Sequence, residues 1–168
     1  RMGNPKTSAV LDKMKDQGFQ YATVAGFTIS IKDIHLVEGK QKILKEGDDK
    51  VAEIENMFEM GLLTDKERHK MVVDVWQGVL ETIKNKLTVQ IQKDTRNPIF
   101  MMFDSGARGN ISNITQLSGM RGLMGNTSGG TIELPVKRSF VEGMTVSEFF
   151  IATRGARKGG ADTALKTA

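Results

Sequence analysis

Two long amphipathic stretches joined by a short link constrain the fold more than any other feature of this chain. In the first, residues 39–60, apolar side chains recur at near-heptad spacing: Leu44, Val51, Ile54 and Phe58. In the second, they follow a step of three and four residues: Val72, Val75, Trp76, Val79, Ile83 and Leu87. Thr64 and Glu67 form a capping box that begins the second helix. The pattern predicts an antiparallel helical hairpin, and its charged outer faces favour protrusion.

Shorter elements are predicted on both sides of this hairpin. Before it we expect a helix over 8–17, ended by Gly18, and short strands over Phe19–Ala25 and Phe27–Ile31. After it we expect helices over 98–103 and 111–118, a turn over 126–130, and a strand over Thr131–Leu134 that Pro135 ends. The predicted fold is therefore mainly α with small β elements (α+β): a long antiparallel helical hairpin and a compact region that leads into a truncated long helix.

That last helix begins near Val146, because Thr145 and Glu148 form another capping box. It contains three glycines, Gly155, Gly159 and Gly160. Each costs an isolated helix roughly 1 kcal/mol relative to alanine, so close backbone approach or a bend is expected. Three cations share one face: Arg154, Arg157 and Lys158. Such a helix suits a polyanion, and its pattern reaches Ala168 without a C-cap, as if cut short.

The charge of the chain is uneven along its length. The net charge is +4, residues 38–67 are acid-rich, and residues 137–166 carry six basic against three acidic residues. A basic C-terminal third indicates a nucleic-acid or phosphate partner, although a solvated basic face is the simpler alternative. The chain has no cysteine, which fits the cytosol, and no apolar run long enough for a membrane span.

Catalytic and metal-binding motifs are not recognisable in the sequence. There is no GxxxxGK[ST] loop and no GxGxxG after a strand. The two histidines, His35 and His69, give little basis for a metal site or a catalytic triad. Asp104 and Asp162 are isolated acids, of the kind that usually cap helices or form ion pairs. The loop 104–110 can present Arg108, because its two glycines allow tight turns.

Longer motifs add a family resemblance to this pattern. Residues 97–124 read NPIFMMFDSGARGNISNITQLSGMRGLM, and residues 155–168 read GARKGGADTALKTA. Both resemble the largest catalytic subunit, β′, of bacterial DNA-directed RNA polymerases, and they occur in the order found there. LDKMKDQGFQYAT and GLLTDKER are also similar, so the resemblance covers nearly the whole chain.

The resemblance implies four regions with different roles. Residues 1–37 are expected, from their helix and strand signals, to form a small mixed α/β region, and 38–96 are similar to a protruding hairpin at the rim of the secondary channel, where regulatory factors dock. Residues 97–144 lie next to the active centre and support the trigger loop, and 145–168 are the N-terminal part of the bridge helix. Arg108 matches a residue near the nucleotide triphosphate, Arg157 and Lys158 match residues beside the template, and Thr167 and Ala168 match the pair at the insertion site.

It also implies partners and cofactors beyond this chain. The partners are the β, α, ω and σ subunits, the DNA template, RNA, nucleoside triphosphates and secondary-channel factors, with no membrane, in the cytoplasm at the nucleoid. No catalytic residue, cofactor or metal ligand of the family falls in this sequence, since the magnesium motif NADFDGD and the zinc-binding cysteines are absent; Mg and Zn belong elsewhere in the subunit. Arg154 and Gly160 depart from the family, where histidine and an aliphatic residue are usual.

Three functions follow as hypotheses. The first is an internal β′ segment of a nucleotidyltransferase, inactive alone. The second is a coiled-coil module whose main role is to dock transcription factors. The third is a stand-alone basic nucleic-acid-binding domain, which rests on charge alone and predicts salt-sensitive DNA binding.

Overall fold

The computed structural model describes residues 3–126 and 129–168. Within them the chain forms six α-helices: α1 (Asn4–Ala25), α2 (Lys40–Glu59), α3 (Asp65–Lys93), α4 (Pro98–Asp104), α5 (Ile111–Ile114) and α6 (Val146–Thr167). A 3₁₀ turn covers Ile31–Asp33, and α5 continues into a π-helical turn over Thr115–Gly119. The mainly helical part of the predicted fold is confirmed.

The α2–α3 hairpin forms as the apolar spacing predicts. Thr64 caps α3, since its hydroxyl accepts a hydrogen bond from the Glu67 amide while the Glu67 carboxylate accepts one from the Thr64 amide. Of the predicted stripe on α3, all members but the half-buried Val75 are buried: Val72, Trp76, Val79, Ile83 and Leu87. Ile43, Leu44 and Ile54 cover this stripe from α2. Burial of one shared apolar face therefore holds the two helices together.

Close helix approach in the hairpin depends on one glycine. Gly47 on α2 faces α3 so closely that a Cβ there would lie 2.9 Å from Val79 Cγ2 and 3.2 Å from Trp76 Cζ3. Any larger residue would push the helices apart or force these two side chains from their positions.

The prediction of small β elements is wrong. α1 runs through Gly18 and the whole segment expected as the first strand, and it ends at Gly26, which takes the left-handed conformation with φ 59°. Residues 27–31 form no strand, because nothing in the described part of the chain pairs with them. β-prone side chains are a weak guide when no neighbouring strand exists. No residue of α1 is buried, and Val10, Met14 and Tyr21 are among its exposed apolar side chains.

The predicted strand at Thr131–Leu134 is also absent. In its place, two isolated antiparallel bridges join Gly122 to Val136 and Gly125 to Thr131. Pro135 lies between them and has no amide hydrogen to donate, so a continuous ladder cannot form there. The predicted turn at 126–130 includes residues 127 and 128, which lie outside the described residues; on its described part, the Asn126 amide donates to the Gly130 carbonyl over 2.7 Å.

A segment that we call the strap, residues 131–142, lies along the hairpin. Glu133 binds Arg68 near the hairpin tip, Lys137 binds Asp48 with Nζ 2.6 Å from Oδ1, and Glu142 pairs with the buried Lys40 at the start of α2. Val136 and Ser139 on the strap are completely buried. The strap therefore contacts the hairpin from its base to its tip.

Candidate nucleic-acid interface

The N-terminus of α6 is fixed by a single carboxylate. Glu148 Oε2 accepts hydrogen bonds from the Thr145 amide and hydroxyl, both over 2.9 Å, and completes the predicted capping box. Its other oxygen, Oε1, accepts from the strap amides of Lys137 (3.0 Å) and Arg138 (3.2 Å). One side chain thus begins α6 and ties it to the strap.

These hydrogen bonds keep Glu148 ionised. Partial burial raises its pKa and is the largest single influence, but the four bonds from Thr145, Arg138 and Lys137 together outweigh it and lower the pKa. A carboxylate that receives several N–H and O–H donors favours its charged form. The negative charge also lies at the positive end of the helix dipole, where it stabilises α6.

The glycine-rich part of α6 packs against residues 124–126. Gly155 faces Met124, and a Cβ at Gly155 would lie 3.6 Å from Met124 Cβ and in overlap with its Cε. One turn later, Lys158 Nζ donates a hydrogen bond to the Asn126 carbonyl over 2.6 Å. The close approach expected of a glycine is therefore present at Gly155, whereas Gly159 and Gly160 have open space beside them.

An open groove runs between α6 and this neighbouring segment. Its walls are formed by Ile132 and Leu134 on one side and by Phe149 and Phe150 on the other. All three predicted cations of α6 line it: Arg154, Arg157 and Lys158. Arg154 and Arg157 are exposed, and Lys158 is half-buried. The groove combines three cations and one carboxylate, Asp162, with two aromatic side chains, and this net positive composition fits a phosphate backbone and stacked bases.

Thr167 and Ala168 lie away from this groove. α6 continues as one helix to Thr167, whose hydroxyl donates to the Thr163 carbonyl, and both residues are exposed. At a rise of 1.5 Å per residue they are about 15 Å beyond Arg157 along the helix. Their small side chains leave the backbone of α6 open to a close neighbour.

Arg108 is presented from the loop after α4, as the sequence predicts. Gly106 and Gly109 on either side take left-handed conformations with φ 68° and 85°. The Arg108 amide donates to the Met102 carbonyl over 3.4 Å, while the residue is exposed. Arg108 does not line the groove of α6, so the structure does not bring it together with Arg157 and Lys158.

Sequence reasoning did not single out two side chains that position the site, Glu133 and Lys137, nor the contact of Glu148 with the strap. Arg68 Nη1 lies 2.7 Å from Glu133 Oε2 and Nη2 lies 2.9 Å from Oε1, while His69 Nδ1 lies 2.7 Å from Oε1. The Lys137 ammonium lies 5.0 Å from the centre of the Trp76 ring. Glu133 and Lys137 are more than 60 residues from these partners, so no local spacing could have indicated the contacts.

Neither a metal cluster nor a membrane span is found in the described chain. Within residues 3–126 and 129–168, no three His, Asp or Glu side chains are grouped so as to hold a metal ion. Over the same ranges, none of the helices combines the length and the apolar character that crossing a bilayer requires.

The described residues form a helical module with a cationic helix beside an open groove, and with an arginine exposed on a separate two-glycine loop. The chain belongs to the family described as RNA polymerase Rpb1, domain 4, whose family model matches residues 63–148. That match contains the second hairpin helix, the Arg108 loop, the strap and the capping box of α6.

Curated relatives extend the similarity over nearly the whole chain. The DNA-directed RNA polymerase subunit beta' of Acholeplasma laidlawii is 58% identical over 163 residues, which are 97% of this chain and 12% of that protein. The subunits of the same name from Shouchella clausii and Mycoplasma capricolum are 56% and 53% identical, over 97% and 99% of this chain and 13% of theirs. The chain thus spans about an eighth of the length of these relatives. Similarity of this extent does not favour a stand-alone DNA-binding domain or a separate docking module.

Proposed function

We propose that this chain is a segment of the β′ subunit of a bacterial DNA-directed RNA polymerase, where it helps to form the secondary channel and the nucleotide-addition centre. The observation that carries the proposal is the 58% identity over 97% of the chain to a subunit of that name. The chemistry is nucleotidyl transfer from nucleoside triphosphates to RNA, directed by a DNA template.

Arg108 is proposed to bind the triphosphate of the incoming nucleotide. It is exposed on a loop whose two left-handed glycines hold the backbone in a tight turn, so its guanidinium is free to reach an anion. A guanidinium stabilises phosphate oxygens through two parallel hydrogen bonds and offsets the charge that develops during phosphoryl transfer. Arg108 would thus lower the concentration of nucleotide that the enzyme needs.

α6 is proposed to be the N-terminal part of the bridge helix. Arg157 and Lys158 would contact the template backbone, since cations that bind phosphate position a strand without reading its sequence. Thr167 and Ala168 would pack against the base pair at the insertion site, where small side chains allow close approach. Fixing α6 to the strap through Glu148 supports this role, because the helix that lies against a template must keep its position.

The hairpin is proposed to form the rim of the secondary channel, on which regulatory factors dock. Between α2 and α3 it carries a shallow depression whose polar lining is Glu46, Lys50, Asp74 and Thr82. The β, α, ω and σ subunits, RNA and DNA would be partners of the complete subunit, in the cytoplasm at the nucleoid. Mg and Zn would be held by other parts of the subunit, and the isolated chain would not catalyse synthesis.

The test uses the complete polymerase. Arg108→Ala should raise the KM for nucleotides about tenfold or more, the effect of losing one charge-assisted contact, with little change in template affinity. Arg96→Ala, which removes another exposed loop arginine, is the matched control and should leave the KM unchanged. An unaltered nucleotide KM in the Arg108 variant would contradict the triphosphate role. Primer extension by the isolated chain would contradict the proposal that it is inactive alone.

A further inference from the structure

The hairpin tip and the groove of α6 are connected through one side chain on the strap. Glu133 lies between Ile132 and Leu134, which line the groove, while its carboxylate points to α3. Arg68 holds both carboxylate oxygens, and His69 contacts one of them. The same short segment is therefore a groove wall on one side and a ligand of the hairpin on the other.

Several partners hold the Arg68 guanidinium in this contact. Its side chain is 14% exposed, and its guanidinium lies over the Phe58 ring at 5.3 Å from the centroid. Two further carboxylates bind it, Glu55 from α2 and Asp65 from the first turn of α3, each at 3.0 Å. The hydrogen bonds from Arg68 are the largest influence on Glu133 and lower its pKa, so Glu133 is ionised at neutral pH.

From Glu133 the contacts continue to α6 in two steps. The Ile132 amide donates to the Met124 carbonyl over 2.8 Å, and Met124 packs against Gly155. In the same loop, the Asn126 amide donates to the Gly130 carbonyl and the Asn126 carbonyl accepts from Lys158. Both routes lead from the groove wall to α6, so we expect a movement of the wall at Glu133 to reach the part of α6 that carries Arg157 and Lys158.

We propose that the Arg68–Glu133 ion pair couples the hairpin tip to α6. While the pair is intact, it keeps the groove wall and the middle of α6 in position. When Arg68 moves away from Glu133, both become mobile. The released state is a local opening, not an unfolding, because the apolar hairpin core does not include the strap residues 131–135. Binding of a ligand at the hairpin tip could therefore change the mobility of α6. The coupling rests on contacts within this chain and does not depend on the proposed polymerase role.

Amide hydrogen exchange on the full 168-residue chain tests this coupling. In Glu133→Gln, exchange at Ile132 and at residues 159–161 of α6 should rise about tenfold, while Ile83 in the hairpin core keeps its protection. Glu55→Gln is the matched control, because it removes a different carboxylate from the same Arg68 nitrogen and touches neither the strap nor α6.

Three results would overturn the proposal. One is equal exchange in the two variants, and another is a rise at Ile132 without a rise in α6. If Glu133→Gln also raises exchange at Ile83, the Arg68→Lys variant provides the test instead. It keeps the positive charge but loses the bidentate contact with Glu133. In Arg68→Lys, exchange at Ile132 and at residues 159–161 should rise less than in Glu133→Gln, while Ile83 stays protected. No rise in exchange at these amides is the third contradicting result.

Discussion

Lys158 Nζ lies 2.6 Å from the Asn126 carbonyl oxygen, so one of the three cations lining the groove is held by the protein itself. Arg157, its neighbour in the sequence, is exposed. The two residues share a face of α6 but differ in what they bind within the chain. Lys158 uses one N–H of its ammonium to stabilise the loop that packs on α6 and keeps two for a template phosphate, whereas Arg157 leaves its whole guanidinium available to a ligand.

This difference predicts separate effects of substitution. Lys158→Met should lower the Tm of the chain by a few degrees, since it removes a charge-assisted hydrogen bond to a half-buried loop. Arg157→Met should leave the Tm unchanged and reduce the affinity of the complete enzyme for template, with a shallower dependence on salt. Thermal unfolding and template binding at several salt concentrations measure the two effects. Equal Tm values for the two variants would contradict the assignment.

Gly47 and Gly78 predict opposite outcomes for the same substitution. Gly47→Ala should destabilise the chain by about 1–3 kcal/mol, because its Cβ meets Val79 and Trp76 in the hairpin core. Gly78→Ala, at an exposed position of α3 with nothing within 4 Å of its Cβ, should stabilise the chain by up to about 1 kcal/mol through helix propensity. Denaturant unfolding measures both, and a stabilised Gly47 variant would show that the helices are less closely packed.

Glu148 should matter more for stability than Thr145, its partner in the capping box. Thr145→Ala removes only the hydroxyl of the capping box and should cost about 1 kcal/mol. Glu148→Ala also leaves the amides of Lys137 and Arg138 without their acceptor, so we expect a cost of about 2–3 kcal/mol. Equal losses of unfolding free energy would mean that the strap amides find water or another acceptor. Thr153→Ala, in the second turn of α6, controls for general effects on the helix.

Acid should loosen the contacts of the strap before it affects the apolar core. The pKa values of Glu133, Glu142 and Glu148 are all lower in the fold than the ordinary value. Their stabilising contribution is therefore complete above the ordinary glutamate pKa of about 4.3 and is lost as the pH falls through the lowered values. Unfolding free energy measured from pH 6 to pH 3 should fall at the acid end. Glu133→Gln should show a shallower fall, and an identical profile would contradict this contribution.

The sequence predicted the elements whose signals are local and strong. The apolar stripe from Val72 to Leu87 and the capping boxes at Thr64 and Thr145 lie within a few turns of helix, so spacing alone indicates them. α1 was misread because Gly18 was interpreted as its stop and the next residues as a strand, whereas the helix ends at Gly26. Only Gly26 takes the left-handed conformation, and a propensity for strand does not oppose a helix when no partner strand is present.

The candidate site was predicted only in part, for a physical reason. The shared face of Arg154, Arg157 and Lys158 follows from helix periodicity, and the exposure of Arg108 follows from its two glycines. By contrast, the groove wall depends on Glu133 meeting Arg68, which is 65 residues away in the sequence. Contacts of that kind are made by tertiary packing, and no pattern within one segment contains them.

The double attachment of Glu148 also determines how α6 tolerates changes in its length. Because the helix is anchored to the strap at its first turn, every later side chain has a fixed rotation about the axis relative to residues 124–126. Insertion of one residue between Ala152 and Gly155 would turn all that follows by about 100° and advance it by about 1.5 Å. Gly155 would leave Met124, Lys158 would leave Asn126, and the cations would point away from the groove with their chemistry unaltered. The number of residues between Glu148 and Lys158 is therefore as strictly determined as their identities.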